Sequence, residues 1–226
     1  MKKLISSIIA IVFALNISAY AEEKLTIEKQ LVGIVGAISG TVKTETRELK
    51  AGDKIYLNET IYAGVGAGTQ ILLLDQSTFT IGEDSEVVMD TFVFDPETND
   101  GKIVASVKQG SLKVISGLIS KKNPDSLTVE VPEGTLGSRG TEFQTIVSKG
   151  KTDTLLIGPG KNNTLGMRPG AVLIGNSLGS TLLDNPYSMA SMTQGKAPGQ
   201  AKKITKNQLK KFNKKMKALR VAKLSP

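Results

Sequence analysis

The sequence predicts an all-β body of the sandwich, barrel or solenoid kind, preceded by an export leader and followed by a basic helix. Three observations carry this. Between about residues 30 and 187, β-branched runs of four to nine residues recur roughly every ten residues, with Gly, Asn and Asp clusters between them. The first 21 residues have the layout of a secretory signal. Residues 196–226 hold 11 Lys/Arg and no acidic residue.

The leader comes first. Lys2 and Lys3 precede a short apolar core, and Ala19-Tyr20-Ala21 supplies small residues at the cleavage point before Glu22-Glu23. The apolar stretch is too short to span a bilayer, and no Cys follows the cleavage point, so cleavage after Ala21 releases a chain without a lipid anchor. Residues 22–29 read as an N-terminal linker. The expected location is the periplasm or the extracellular space.

Residues 30–187 form the expected β domain. Its runs include Val32, Ile34, Ile38 and Val42, then Ile55 to Tyr62, Gln70 to Leu74, Phe79 to Ile81 and Glu86 to Phe94. They continue with Ile103 to Val107, Leu112 to Ile115, Leu127 to Val131, Glu142 to Val147, Thr154 to Ile157 and Ala171 to Ile174. No segment of convincing helical period interrupts them. In Val87 to Phe94 both alternating sets are largely apolar, which predicts a strand covered on both faces. In Lys102 to Lys108, Ile103, Ala105 and Val107 alternate with Lys102, Ser106 and Lys108, which predicts one wet face. Ile38-Ser39-Gly40-Thr41-Val42-Lys43 and Gln109-Gly110-Ser111-Leu112-Lys113 echo each other weakly, too little for a repeat period.

The missing residue types exclude much chemistry. The chain has no Cys, no His and no Trp. Disulfides, thiolate zinc sites, cysteine nucleophiles, Ser-His triads and His-ligated metals all fall away. The charge is also divided: residues 22–195 carry 16 Lys/Arg against 21 Asp/Glu, a net of −5, so the overall +8 belongs to the tail. A basic total of this origin gives no reason to expect nucleic-acid binding.

Gly52-Asp53, followed by Ile55, Ile61 and Gly64, leads into Gln70-Ile71-Leu72-Leu73-Leu74-Asp75-Gln76-Ser77-Thr78-Phe79-Thr80-Ile81. Gln109-Gly110-Ser111-Leu112-Lys113-Val114 follows, and Val129-Glu130-Val131-Pro132 runs on to Ser138-Arg139-Gly140-Thr141-Glu142-Phe143. Over roughly residues 33–150 this pattern resembles the FecR domain family, whose closing signature reads R-G-T-x-F. The resemblance implies a β-solenoid-like or sandwich domain with a regulatory role. Gln76 stands where the family has Gly, so the turn there is expected to avoid positive φ or to change type. The sequence has neither the cytoplasmic helical domain nor the transmembrane helix through which such regulators hold a sigma factor. It is expected to be the periplasmic module standing alone.

The candidate ligand or partner contacts are Arg139, Gly137, Gly140, Thr141, Gly66 and Asp75. Gly137, Arg139 and Gly140 read as a tight, exposed turn whose guanidinium either pins neighbouring carbonyls and carboxylates or meets an anionic ligand. Three chemical readings are weaker. Gly64 to Thr69 lacks the Gly-Lys-Ser/Thr and the following helix of a phosphate loop. Asp95 to Gly101 has alternating oxygen ligands, but its Gly is one position late for a calcium loop and Ser106 occupies the twelfth position. Asp75, Glu83, Asp84, Glu86 and Asp90 are poor candidates for glycoside cleavage in a chain without Trp. No metal and no cofactor are expected.

Residues 188–201 read as a linker and 202–226 as a basic amphipathic helix. Leu209, Phe212, Met216 and Leu219 make an apolar stripe opposite a cationic face. The electrostatic contacts are expected from Lys210, Lys211, Lys214, Lys215, Lys217 and Arg220. Such a helix suits an anionic membrane surface or acidic partner, the protein's own acidic domain, or folding only on binding. The expected whole is an exported, non-enzymatic binding or sensing module with a protein partner or anionic envelope component, and peripheral membrane contact through the tail. The alternative is a structural cell-envelope protein that binds surface polymer or assembles through its strand edges.

Overall fold

A computed structural model describes residues 29–161 and 169–222. The expected leader, residues 1–21, lies outside them. The described residues form β1 (Leu31–Ser39), β2 (Val42–Lys43), β3 (Lys54–Tyr56), β4 (Thr60–Ala63), β5 (Gly68–Leu73), β6 (Thr78–Ile81), β7 (Ser85–Phe94) and β8 (Gly101–Ile115). After the short helix α1 (Leu118–Lys122) come β9 (Leu127–Val131), β10 (Gly134–Arg139), β11 (Glu142–Ser148), β12 (Lys151–Gly158), β13 (Ala171–Asn176), β14 (Gly179–Leu183), β15 (Ser188–Thr193) and β16 (Lys202–Lys203). Helices α2 (Lys206–Lys215) and α3 (Lys217–Ala222) close the chain.

All sixteen strands join through β8. Its second half pairs with β6 and β11, within the branch β3-β1-β5-β6-β8-β11-β12-β15-β16. Its first half pairs with β7 and, in parallel, with β9, within the branch β2-β4-β7-β8-β9-β10-β13-β14. The period-2 alternation of both branches feeds one apolar cluster. Val35, Ile71, Phe79, Leu112, Val114 and Phe143 come from the first branch, and Ile61, Val87, Ile103, Val129, Leu136 and Val172 from the second.

At three places the chain changes branch at a glycine with positive φ. Gly40 (+69°) separates β1 from β2, Gly110 (+92°) divides β8, and Gly140 (+67°) lies between β10 and β11. A Cβ on Gly110 would come within 2.2 Å of Ser85 Oγ, so both its backbone angle and its surroundings demand Gly. The weak sequence echo around Gly40 and Gly110 thus has a structural counterpart.

Several local expectations are corrected. Gly137 and Arg139, expected with Gly140 in one tight turn, lie on strand β10 (Gly134–Arg139); only Gly140 turns. Residues 188–193, expected to begin a linker, form β15 against β12, with Ala190 and Met192 in the main core and Met189 on the outer face. β7 is not covered on both sides. A register shift between Met89 and Thr91 transfers the inward set from Val87 and Met89 to Phe92, which leaves Val93 59% exposed. Gln76 does adopt positive φ (+67°), held by its own N–H on Leu73 O at 3.0 Å. Leu118–Lys122 supplies one helical turn between β8 and β9.

Candidate functional site

The arginine signature is built into the crossing from β10 to β11. Ser116 Oγ donates to Thr141 O at 2.9 Å and accepts from Thr141 N at 3.2 Å, and Thr141 Oγ1 donates to Pro159 O at 2.9 Å. Gly140 N donates to Ser120 Oγ, whose hydroxyl donates to Ser138 O. Arg139 grips Asp125, a residue at φ +67°, through Nε at 3.0 and 3.1 Å and Nη2 at 2.9 Å. The hydrogen bonds it donates to that carboxylate raise the guanidinium pKa above its ordinary value. Gly137 passes beside the same carboxylate: a Cβ there would sit 3.0 Å from Asp125 Oδ1. Arg139, Gly137, Gly140 and Thr141 therefore share one location, where they tie α1 to both branches.

Asp75 and Gly66 lie apart from that crossing. Asp75 is fully buried; its Oδ1 accepts from Ser77 N at 3.0 Å and its Oδ2 from Ser77 Oγ at 2.8 Å, while its carbonyl accepts from Leu118 N. It organises the turn that holds Gln76 and anchors the start of α1. Gly66, with φ +67° and open space around its α-carbon, sits in the β4–β5 turn beside exposed Val65. In the Asp95 turn, Oδ2 accepts from Thr98 Oγ1 and Oδ1 from Glu97 N, which lowers that carboxyl's pKa. Among the described residues no group of three or more His, Cys, Asp or Glu side chains is placed to hold a metal ion.

The most developed surface lies under the tail, on the outer face of the first branch. Thr205 caps α2 in a reciprocal box with Gln208: Thr205 N donates to Gln208 Oε1 at 2.9 Å, and Gln208 N donates to Thr205 Oγ1 at 3.3 Å. Phe212 is buried in a second apolar cluster with Ile146, Leu155 and Met189. Gln144 Nε2 donates to Phe212 O at 3.0 Å, fixing the helix to the sheet. Lys211 Nζ meets Asp153 Oδ2 at 3.1 Å, and Lys215 Nζ lies 3.4 Å from Glu83 Oε1 and 3.6 Å from Asp84 Oδ2. Gly82 makes the approach possible, since a Cβ there would sit 2.3 Å from Lys215 O.

Asp153 is the electrostatic centre of this contact. Burial alone raises its pKa, but hydrogen bonds from Ser191, Lys151 and Lys211 offset that and leave it below the ordinary carboxylate value. Of the expected tail contacts, Lys211 and Lys215 turn toward the protein's own acids, while Lys210, Lys214 and Lys217 are exposed. Arg220 lies on α3, its side chain outside the described residues. Sequence reasoning missed Asp153, Gln144 and Gly82. Their only sequence signal was an acid and an amide at outward positions of strands otherwise read for their core, and a Gly just past the end of β6.

Between the tail and the sheet runs a cleft of about 440 Å³. Its floor is one cross-strand row, Ala37–Gln70–Thr80–Lys113–Gln144–Leu155. Its roof is Leu209, Asn213, Met216 and Leu219. A separate cleft of about 600 Å³ beside α1 is lined by Lys121, Lys122, Gly140 and Thr141. No helix among the described residues is long and apolar enough to cross a membrane.

Residues 59–157 match the family model described as FecR protein. No curated protein matches the chain. Among solved structures, the chain is similar to a candidate anti-sigma factor from Parabacteroides distasonis ATCC 8503, with a TM-score of 0.50 and 10% identity over 67% of this chain and 62% of that one. A second structure of the same description gives a TM-score of 0.47 at 10% identity, with the same coverage. The likeness to the first is one of fold, and the chain spans about 62% of the length of the structures it matches.

Proposed function

We propose that this chain, which carries a FecR match over residues 59–157, is an exported, non-enzymatic regulatory module that senses by engaging a protein partner in the periplasm. In this reading the two strand branches, which share one core, are the layers of a sandwich-type FecR domain. The tail is its responsive part.

The supporting observation is the way α2 is held. One buried aromatic, a hydrogen bond from Gln144 to the helix backbone, a backbone hydrogen bond from Glu83 N to Lys215 O and two ion-paired lysines keep it on the sheet. Each contact is individually modest and replaceable by an acidic partner groove or an anionic envelope surface. Docked, the helix covers its own apolar stripe. Released, it presents that stripe together with Lys210, Lys211, Lys214, Lys215, Lys217 and Arg220. A partner that prefers the released state shifts the population by the difference in its affinities for the two states. Arg139, Gly137, Gly140 and Thr141 at the β10–β11 crossing form a second recognition face of the β body, and Gly66 in the β4–β5 turn a separate contact point; Asp75 acts from within, through the turn that anchors α1.

Deletion of residues 202–226 tests this reading. The truncated protein is expected to keep its β fold by circular dichroism and to lose binding to anionic vesicles and to acidic envelope partners at low salt. Unchanged binding at low salt removes the tail from the mechanism. Recovery of the mature chain from periplasmic extracts checks the location.

A further inference from the structure

The cleft beneath α2 and α3 has the features of a ligand site rather than a packing gap. At about 440 Å³ it falls within the roughly 300–1,000 Å³ of small-molecule sites. Thr80 lines its floor, is only 6% exposed, and carries a buried hydroxyl with no hydrogen-bond partner. Only Arg47 Nε shares that condition among the described residues. A buried hydroxyl left unpaired costs free energy that a ligand oxygen or N–H recovers on binding.

The remaining lining defines the ligand. Leu155, Ile157, Leu209, Met216 and Leu219 demand an apolar body. The charges present, Lys113 and Glu142, satisfy each other at 2.8 Å, so an ionised ligand would have to break that pair. The next outward row of the same face carries Ile34, Leu72 and Ile115, each 39–41% exposed, which extends apolar surface beyond the cleft. We propose that the space between Thr80 on β6 and Leu209, Met216 and Leu219 on the tail helices binds a neutral amphiphile: an apolar chain or ring system with one hydroxyl, ester or amide group. The inference rests on the docked helix of the preceding reading, because the helix is the roof. An occupied cleft adds contacts to both floor and roof, so the ligand holds the tail down and opposes its release.

The test titrates N-phenyl-1-naphthylamine, a neutral fluorophore with one N–H, into the exported chain (residues 22–226). Saturable one-to-one binding with enhanced emission is expected, displaced by 1-decanol and at least tenfold more weakly by decanoate. Leu209→Trp fills the roof and is expected to abolish binding. Thr80→Val keeps the volume, removes the hydroxyl and is expected to weaken decanol about three- to tenfold without lowering thermal stability. Absence of saturable binding overturns the proposal, as do parent-like affinities in both variants and decanoate matching decanol. Amide exchange of residues 206–215 without ligand separates the two readings. A protected helix with no fluorophore binding removes the cleft proposal alone, whereas an unprotected helix removes the docked tail and the cleft with it.

Discussion

Gly82→Ala probes the tail contact with a single methyl group. Gly82 does not have positive φ, so Ala suits its backbone. The new Cβ would lie 2.3 Å from Lys215 O, 3.1 Å from Lys215 C and 3.5 Å from Met216 Sδ. Restoring an ordinary carbon–oxygen contact lifts the end of α2 by about 1 Å. That movement breaks the bond from Glu83 N to Lys215 O, now 3.3 Å, and stretches the Lys215 ion pairs at 3.4 and 3.6 Å. A lost hydrogen bond contributes about 0.5–1.5 kcal/mol. Partial loss of the Phe212 anchor adds a share of the about 1.5–3 kcal/mol that a buried Phe side chain supplies. The docking equilibrium should therefore weaken by about 1–3 kcal/mol, or roughly 5- to 150-fold. Hydrogen exchange resolved by segment reads this directly: amides of 206–215 should exchange faster by that factor while those of 142–147 stay unchanged. Gly64→Ala is the control, because its Cβ meets only Thr41 O at 3.5 Å. Equal protection of α2 in Gly82→Ala and the parent would refute the docking argument.

Other perturbations follow from the same geometry. Asp75→Ala strands Ser77 N and Ser77 Oγ in a fully buried turn and should cost about 2–4 kcal/mol in urea unfolding, a loss that Asp75→Asn partly restores. Arg139→Ala removes a half-exposed pair and should cost only about 0.2–1 kcal/mol; a much larger loss in partner binding than in stability would mark it as a contact residue. Asp153 has a lowered folded pKa, so its contribution is complete above the ordinary carboxylate value and fades as pH falls below about 4. Tail docking, followed by pepsin cleavage at Leu209 and Phe212, should loosen in that window. Asp153→Asn should remove most of that pH dependence.

The strands of the core were legible because alternation is local: Ile103, Ala105 and Val107 point inward with no information from elsewhere in the chain. β10 and β15 were obscured by composition. Gly134-Thr135-Leu136-Gly137-Ser138-Arg139 and Ser188-Met189-Ala190-Ser191-Met192-Thr193 have weak intrinsic strand preference, and pairing with formed neighbours decides them. The β7 bulge was invisible for a related reason, since Val93 and Phe92 are equally apolar and only the register chooses between them. At the tail, the spacing of Leu209, Phe212, Met216 and Leu219 identifies the apolar face. What that face meets was hidden, because Asp153 on β12, Gln144 on β11 and Gly82 in the β6–β7 turn are far from α2 in sequence and converge only in the folded protein. For Arg139 two readings were open, a clamp on neighbouring carbonyls and carboxylates or a contact to an anionic ligand; the carboxylate it grips is that of Asp125, which no local pattern singles out.

The tail is tethered to the body it covers. Residues 194–201 join β15 to β16 over a short span, so α2 meets its seat at an effective concentration in the millimolar range. A rival acceptor present at about 1 µM starts roughly a thousandfold behind. It prevails only by gripping the helix that much harder than the sheet does, or by arriving where many copies are crowded together. Brevity of the tether thus acts as a threshold, filtering out casual encounters with acidic surfaces.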